Sequence, residues 1–523
     1  MVSGFTNRIA RRPDGDAPMT VAVVDCGTSS VRATIAELRG GERRILEDLH
    51  YPIDLTPAFT SEKLSREAME NVADAFQAMA TAARTYGVEV LRAVATSALR
   101  EAVNADVLIE LVRSRTGVDV EIIDSGEEAR LYVEALLALL AAQDIKLPGV
   151  TLMMDVGGGG TSVSVIRDGR LIFSVDEHFG TVRLLGQLES LADDSDFGIT
   201  VDRFSLGAAK MMLSRLPERS FDHLVVNGGD VRKLLHLLDP HSQDQALAQL
   251  PAALVESWCT QSLRLTRRAR AQACGMDEHE AALLLPAASI IRHLCRFTGS
   301  IQALVPHLTL RDGLLADFRC PQPEDKLFAE ETMRAEAMQF VRRFGCDPDY
   351  AESTASLAVQ IFDQTTNLHG LGDHQRNLLE FAARVHDIGS YLNVRNRHKH
   401  SMYLIESVDI AVLNASDQSL VAQVARYHRR SPPQAHHSGF QKLSRRDRVV
   451  VSYLAAILRI AYGLDVERTQ RIRRLRCEVI DGKFLLHVDR RQIALERWSV
   501  AGKCQMFEEV FGLKVVVVPR EEE

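Results

Sequence analysis

The sequence predicts an α/β chain: two related lobes facing each other, then an all-helical region and a small α/β cap. Three observations carry this expectation. A strand ending in aspartate, a glycine turn and a returning strand occur at Val21–Leu38 and again at Thr151–Ile166. A supersecondary unit that recurs about one domain later marks two related lobes. Beyond Pro321 and Pro323 the glycine turns between strands stop and long helical periodicity takes over, until Arg474–Val518 alternates again like strands.

The elements follow in order. Met1–Thr20 is polar, carries Arg11-Arg12-Pro13 and lacks an apolar core, so residues 1–20 read as a disordered lead-in and not as a signal peptide. The first lobe, residues 21–142, opens with a strand at Val21–Asp25, a turn at Cys26–Ser30 and a strand at Val31–Leu38. Helices are expected at Glu62–Thr85, Ser97–Thr116 and Glu127–Ala142, with strands at Leu91–Thr96 and Val120–Ile123 between them. The second lobe, residues 143–318, has strands at Thr151–Val156, Ser162–Ile166 and Arg170–Val175, the last two joined by a hairpin turn at Arg167–Gly169. A third glycine turn, Asn227-Gly228-Gly229, precedes a helix reaching Leu238, and helices dominate Gln245–Arg296. The linker at Cys320–Asp325 leads to a helical domain over 325–472. The cap over 473–523 places strands around Asp481-Gly482 and one helix near Gln505–Val510.

The bulk composition narrows the function. A chain of 523 residues exceeds what one core supports. Its 46% hydrophobic and 25% charged residues are ordinary for a soluble protein, and a net charge of −8 argues against nucleic acid as a partner, although a local basic groove fits inside an acidic total. Eight cysteines without any C-x-x-C pair read as thiols of a reducing compartment, neither a disulfide framework nor a zinc site. No run of ~20 apolar residues suggests a membrane span, so the expected location is the cytoplasm.

The glycine turns carry the chemistry. A phosphate group needs several converging donors, and glycine lets backbone N–H groups approach it closely. Thr28, Ser29 and Ser30 in the first turn and Thr161 after the second add hydroxyl donors. Gly157, Gly158, Gly159 and Gly160 form the second turn, and Gly228 and Gly229 the third. Asp25 and Asp155 at the strand ends would repel a phosphate unless a cation lay between them, which points to Mg²⁺ or another divalent ion. Arg100, opening a helix after a strand, has the planar fork that clamps phosphate oxygens. Glu127 and Glu128 open the helix after Ser125-Gly126. A carboxylate there either activates a water or complements the helix dipole, and sequence position does not choose between the two glutamates.

Six stretches together resemble the exopolyphosphatase / guanosine pentaphosphate phosphohydrolase family of the actin-like superfamily. They are VVDCGTSSVRATIAEL (Val23–Leu38), VATSALREAVN (Val94–Asn104), IIDSGEEARL (Ile122–Leu131), MMDVGGGGTSVSVI (Met153–Ile166), FGTVRL (Phe179–Leu184) and VVNGGDVRKL (Val225–Leu234). The resemblance implies two actin-like (ribonuclease H-like) lobes. It also implies Asp25 and Asp155 at the metal, Gly157 to Gly159 as backbone donors, Arg100 on phosphate and Glu128 as the base that activates water for in-line attack. A homodimer is implied as well. The substrate implied is inorganic polyphosphate, with guanosine pentaphosphate as the alternative. The sequence departs from the family pattern at the second loop, where D-V-G-G-G-G-T-S puts Gly160 in place of a serine and Ser162 in place of a glutamate. That departure keeps a weakly active phosphate sensor among the readings. An actin-fold kinase fits the VATSALR and SGEEAR stretches poorly.

The helical half resembles an HD phosphohydrolase domain through His386-Asp387 in FAARVHDIGSYL, followed by His398, His400 and His428. An HD cage needs His…His-Asp…Asp. DYAES at Tyr350 has no upstream histidine, and Tyr462 stands where the downstream aspartate belongs. The expectation is a structural helical domain that retains the dyad; a middle reading makes His398-Lys399-His400, Arg426, His428-Arg429-Arg430 and His436-His437 a basic path for an anionic chain, against a plain solvated basic face.

Overall fold

Val21 and Val23 point to one face of their strand and Ala22 and Val24 to the other, and all four are buried. A strand covered on both faces reads as one continuous apolar run, which is why β1 (Met19–Cys26) was legible. The computed structural model describes residues 18–39, 42–177, 179–191, 196–242, 245–318, 323–408, 410, 412–489 and 492–519. The expected lead-in therefore lies almost wholly outside the described residues, as does the linker's Cys320-Pro321-Gln322. The chain divides into two compact units, 1–322 and 323–523.

The first unit holds two sheets built on one plan. β1, β2 (Ser30–Arg39), β3 (Glu42–Pro52), β4 (Val90–Ala95) and β5 (Val120–Ile122) form a sheet in the order β3-β2-β1-β4-β5. β6 (Val150–Val156), β7 (Thr161–Arg167), β8 (Arg170–Glu177), β9 (His223–Asn227), β10 (Leu247–Pro251) and β11 (Gln302–Pro306) form the other, in the order β10-β11-β9-β6-β7-β8. In each sheet an antiparallel trio is followed by a parallel return beside its first strand, β4 beside β1 and β9 beside β6. The register even slips at the same place, between Ile35 and Ala36 in β2 and between Val165 and Ile166 in β7.

Each sheet is sandwiched. Ala22, Val24 and Cys26 face Phe76, Met79 and Leu108 from the helices Arg66–Thr85 and Ala105–Thr116. Leu152, Met154 and Val156 face Met212, Leu234 and Leu284. The opposite faces carry the aspartates. Val21 and Val23, in alternation with Asp25, meet Leu310, Leu314 and Leu131. Met153, in alternation with Asp155, meets Val133, Leu136 and Leu140 of the helix Ser125–Ala142. That helix closes the expected first lobe in sequence, yet it lies on the second sheet.

Several elements differ from expectation. The helix expected over Ser97–Thr116 is two helices, Ser97–Glu101 and Ala105–Thr116. The break serves Asn104, whose side chain exchanges hydrogen bonds of 2.9 and 3.0 Å with the Leu64 backbone. The earlier helix of this lobe starts at Arg66 and not at Glu62, because Ser65 caps it by accepting from the Ala68 N–H. β10 lies where helices were expected. It pairs antiparallel with β11 and ends in a proline.

The second unit surrounds the helix Arg445–Leu464, nearly every buried position of which meets neighbouring helices. β12 (Leu475–Ile480), β13 (Lys483–Val488) and β14 (Lys514–Pro519) form a three-stranded sheet. Asp481 and Gly482, both at positive φ (48° and 73°), make the tight hairpin turn between β12 and β13. Phe484, Phe507 and Val517 share one core with Leu454 and Ile457, so the cap has no core of its own. It carries two helices, Ala494–Ala501 and Gln505–Phe511, where one was expected.

Candidate active site

Asp25 and Asp155 occupy the same place in the two sheets. Each is the last-but-one residue of the first strand of its hairpin, and each is followed by a turn closed by one backbone bond, Gly27 N–H to Ser30 O at 3.0 Å and Gly157 N–H to Gly160 O at 2.9 Å. Both carboxyls are pushed up to about 6, first by burial. Arg311 and Arg32 oppose the shift at Asp25, and the Asn227 amide and Arg232 oppose it at Asp155. Asp176 and Asp25 add to it at Asp155. Asn227 Nδ2 donates to Asp155 Oδ1 at 2.5 Å.

The two glutamates have different surroundings. Glu127 accepts from Arg130 at 2.7 and 2.9 Å and from Arg92 at 3.2 Å, and both arginines also bind Asp317. Glu128 meets Arg100, whose Nη1 and Nη2 lie 3.3 and 3.2 Å from its Oε2. Arg100 is itself anchored on the Ile123 carbonyl at 2.7 Å. The Glu128 side chain is only 18% exposed. Burial pushes its carboxyl up to about 8; Arg100 pulls it down, while Asp155, Asp176 and Asp25 push it further up. Glu128 therefore faces the two strand-end aspartates, and Glu127 is committed to an ion-pair network. Tyr132, one helical turn on from Glu128, feels the same three carboxylates, Asp155, Glu128 and Asp25.

The glycines divide into those that packing requires and those that face the cleft. A Cβ on Gly159 would come within 2.5 Å of the Phe59 ring and 2.8 Å of Ser97 Oγ, so the second loop touches the first lobe there. Arg183 braces this contact: its Nε donates to Gly159 O at 2.7 Å, its guanidinium stacks on Phe59, and it pairs with Glu101. Thr28 and Ser97 hydroxyls lie 3.4 Å apart beside it. Among the described residues, the N–H groups of Gly158 and Gly159 have no backbone acceptor. Ser29 is exposed, and Ser30 and Gly160 are half-buried. Thr161 is buried and its hydroxyl donates to Phe179 O, which ties the loop to the chain beyond β8. Gly228 has φ +140°, and a Cβ there would sit 2.4 Å from Val156 O, whereas one on Gly229 meets nothing within 4 Å.

A cavity of about 380 Å³ adjoins these loops, its wall carrying Arg32, Gly229, Arg232, Lys233, His236 and His307. Arg32 is the register partner of Asp25, and Arg232 is a cation acting on Asp155. Neither was expected from the sequence. The signal was there for Arg32, which stands inside the first motif, but only the strand register ties it to Asp25.

The model of the Ppx/GppA phosphatase family matches residues 56–319, and that of the family's domain III matches residues 333–499. The chain belongs to the Ppx/GppA phosphatase family. Among curated relatives, a guanosine-5′-triphosphate,3′-diphosphate pyrophosphatase of Aliivibrio fischeri is 22% identical over 416 residues, which cover 78% of this chain and 80% of that protein. Among solved structures, the Ppx/GppA protein of Aquifex aeolicus is 22% identical and superposes with a TM-score of 0.51, over 58% of this chain and 97% of that one. An exopolyphosphatase-like protein superposes with the same score at 20% identity, over 58% and 98% of the two chains. These structures show the shared actin-like fold.

The helical unit of this Ppx/GppA family member keeps the His-Asp dyad but fills its surroundings with cations. Asp387 pairs with Arg397 at 2.8 Å and Arg468 at 2.6 Å. Arg397 reaches on to the Tyr462 hydroxyl at 2.9 Å. His386 and His428 stack edge to face 4.8 Å apart, both buried, each with Nδ1 on a backbone carbonyl of the preceding turn. Burial holds both imidazoles below their ordinary pKa. Two guanidinium groups thus take up the carboxylate of the dyad. Among the described residues, no three His, Cys, Asp or Glu side chains converge to cage a metal ion, and no helix is long and apolar enough to cross a membrane.

Proposed function

We propose that this protein is an exopolyphosphatase, which hydrolyses the terminal phosphoanhydride of inorganic polyphosphate with Glu128 as the base. The observation that supports the base is its setting: a half-buried glutamate, held by Arg100, opposite two strand-end aspartates, with a carboxyl raised to about 8. A carboxylate with a raised pKa is a better proton acceptor near neutral pH than an ordinary one. Glu128 would take the proton of the attacking water. Arg100 would orient that glutamate and, on substrate binding, offer its remaining donors to phosphate oxygens. Gly158 and Gly159 would present their N–H groups to the terminal phosphate, as would the Thr28 and Ser29 hydroxyls, with Ser30, Gly157, Gly160, Gly228 and Gly229 shaping the loops.

The donor set around the loops consists of hard carboxylate oxygens without a closed cage. This fits Mg²⁺, which keeps its waters and binds through one or two carboxylates plus phosphate. Asp25 and Asp155 would hold it, and when bound it would neutralise charge on the phosphoryl oxygens.

The cavity beside the Gly229 turn supports the choice of polyphosphate, because the guanidinium groups of Arg32 and Arg232 on its wall offer partners to the next phosphates of a chain. Guanosine pentaphosphate is the second reading. It is favoured by the activity in the name of the Aliivibrio relative and by Leu235, Val305 and Pro306, which give the same cavity an apolar side for a base. The test is phosphate release with Mg²⁺ from polyphosphate, guanosine pentaphosphate and ATP. The reading expects the highest kcat/KM for polyphosphate; a higher value for guanosine pentaphosphate would reverse the order, and transfer from ATP to an acceptor would make the protein a kinase. A homodimer in solution belongs to the same proposal, and light scattering that finds only a ~58 kDa species would remove it.

A further inference from the structure

The helix that carries Glu128 has a second polar group on the same face. Tyr132 follows Glu128 by four residues, so the two stand one above the other on the helix Ser125–Ala142. Its side chain is half-buried and packs against two cores at once. One is the core of Val21, Val23 and Leu310 on the first sheet, and the other is that of Val133, Leu136 and Met153 on the second. These are the sheet faces on which Asp25 and Asp155 stand. Such packing calls for a ring and gains nothing from a hydroxyl. The hydroxyl of a buried tyrosine ordinarily finds a partner. Among the described residues this one has none, and it is left open instead of being sealed in.

Charges surround the phenol. Asp155, Glu128, Asp25 and Arg232 all act on it, and it acts in turn on Arg32. The three carboxylates belong to the phosphate loops and the base. Arg32 and Arg232 stand on the wall of the cavity beside the Gly229 turn. The phenol therefore lies where the carboxylates and the cavity meet. With the terminal phosphoryl group at the loops and the next phosphate toward Arg32 and Arg232, the oxygen that bridges the two phosphates passes Tyr132. Ionised carboxylates only accept hydrogen bonds, whereas a tyrosine keeps its proton up to a pH of about 10 and donates.

We propose that Tyr132 is a catalytic residue whose hydroxyl donates a hydrogen bond to the bridging oxygen of the scissile phosphoanhydride. The water oxygen bonds to the terminal phosphorus and its proton goes to Glu128. The bond from that phosphorus to the bridging oxygen breaks, and its electron pair stays on the leaving phosphate. The phenol keeps its own proton and stabilises the growing negative charge, as a fixed donor does when it is aimed at the place where charge develops. The inference rests on the phosphohydrolase reading above for the position of the terminal phosphoryl group.

Phosphate release with Mg²⁺ by the full-length protein tests it, measured as kcat and KM for wild type, Tyr132→Phe and Glu128→Gln. It is read on polyphosphate or on guanosine pentaphosphate, whichever the wild type hydrolyses faster, because both release a phosphate-bearing leaving group. Tyr132→Phe keeps the ring and its packing and is expected to melt with wild type. Its kcat should fall about 10–100-fold while KM stays within about threefold, the mark of an interaction made in the transition state. A tyrosine that only packs would leave kcat unchanged in Tyr132→Phe, and Tyr132→Leu, which disturbs the packing, should lower the melting temperature instead. The proposal is overturned if kcat of Tyr132→Phe lies within about twofold of wild type, or if the loss falls on KM alone. Glu128→Gln at the wild-type rate would remove the base and leave the comparison of Tyr132→Phe with wild type to decide this residue separately. A wild-type protein that releases phosphate from neither substrate would remove both.

Discussion

Neighbouring glutamates at the start of one helix have been given opposite work by their partners. Glu127 is enclosed by Arg92 and Arg130, with Asp317 completing the network. Glu127→Gln is expected to lower stability by about 1–3 kcal/mol, the worth of hydrogen bonds to charged groups, as read by urea unfolding, while kcat stays within a few-fold. Glu128 has the reverse profile. Its folded pKa, about 8, lies above its ordinary value of 4.5, so the folded state holds the proton more tightly than the unfolded chain does. The stability this contributes is complete below pH 4.5 and is lost as pH rises through about 8. In metal-free protein, Glu128→Gln should therefore melt increasingly above wild type as pH is raised over that window. Because Arg100 lowers this pKa, Arg100→Gln should move the acid limb of the pH–kcat/KM profile to higher pH. A limb that stays in place would separate Arg100 from the base.

At the scale of the elements, the turns that looked alike in sequence are held for different reasons. Gly228 closes against the carbonyl of Val156 at positive φ, so Gly228→Ala should cost about 2–4 kcal/mol, from strain and a backbone clash together. Gly229→Ala opens onto free space, and its effect should stay within about 0.5 kcal/mol. Chemical denaturation of the two variants checks the contrast. Among the strands expected from sequence, β1 and β6 are buried on both faces, and their apolar runs end in Asp25 and Asp155. β3, with ERRILEDLHYP at a sheet edge, has no such run. β10 is too short, at five residues, to show its alternation among helices. The site was legible to the same extent. Asp25, Asp155, Arg100 and Glu128 stand in local motifs, whereas Arg32 comes beside Asp25 only through strand register, and Glu127 is set apart by Arg92 and Arg130, which also bind Asp317 far along the chain.

The first unit of the molecule reads as one device used twice and then made unequal: matching hairpins, matching bulges, matching aspartates, but a guanidinium beside one and a second carboxylate in line with the other. The helical unit has its own economy. Arg397 and Arg468 neutralise Asp387 inside it, so Asp387→Ala should leave two partly exposed cations without their partner and destabilise that unit by about 1–3 kcal/mol, with no loss of a metal. The claim on which the rest depends is that the half-buried glutamate facing the two aspartates activates water. Phosphate release from polyphosphate with Mg²⁺, compared among wild type, Glu127→Gln and Glu128→Gln, tests it most directly. The account predicts near-wild-type turnover for Glu127→Gln and a loss of about 10²–10⁴-fold for Glu128→Gln; equal turnover in wild type and Glu128→Gln would contradict it.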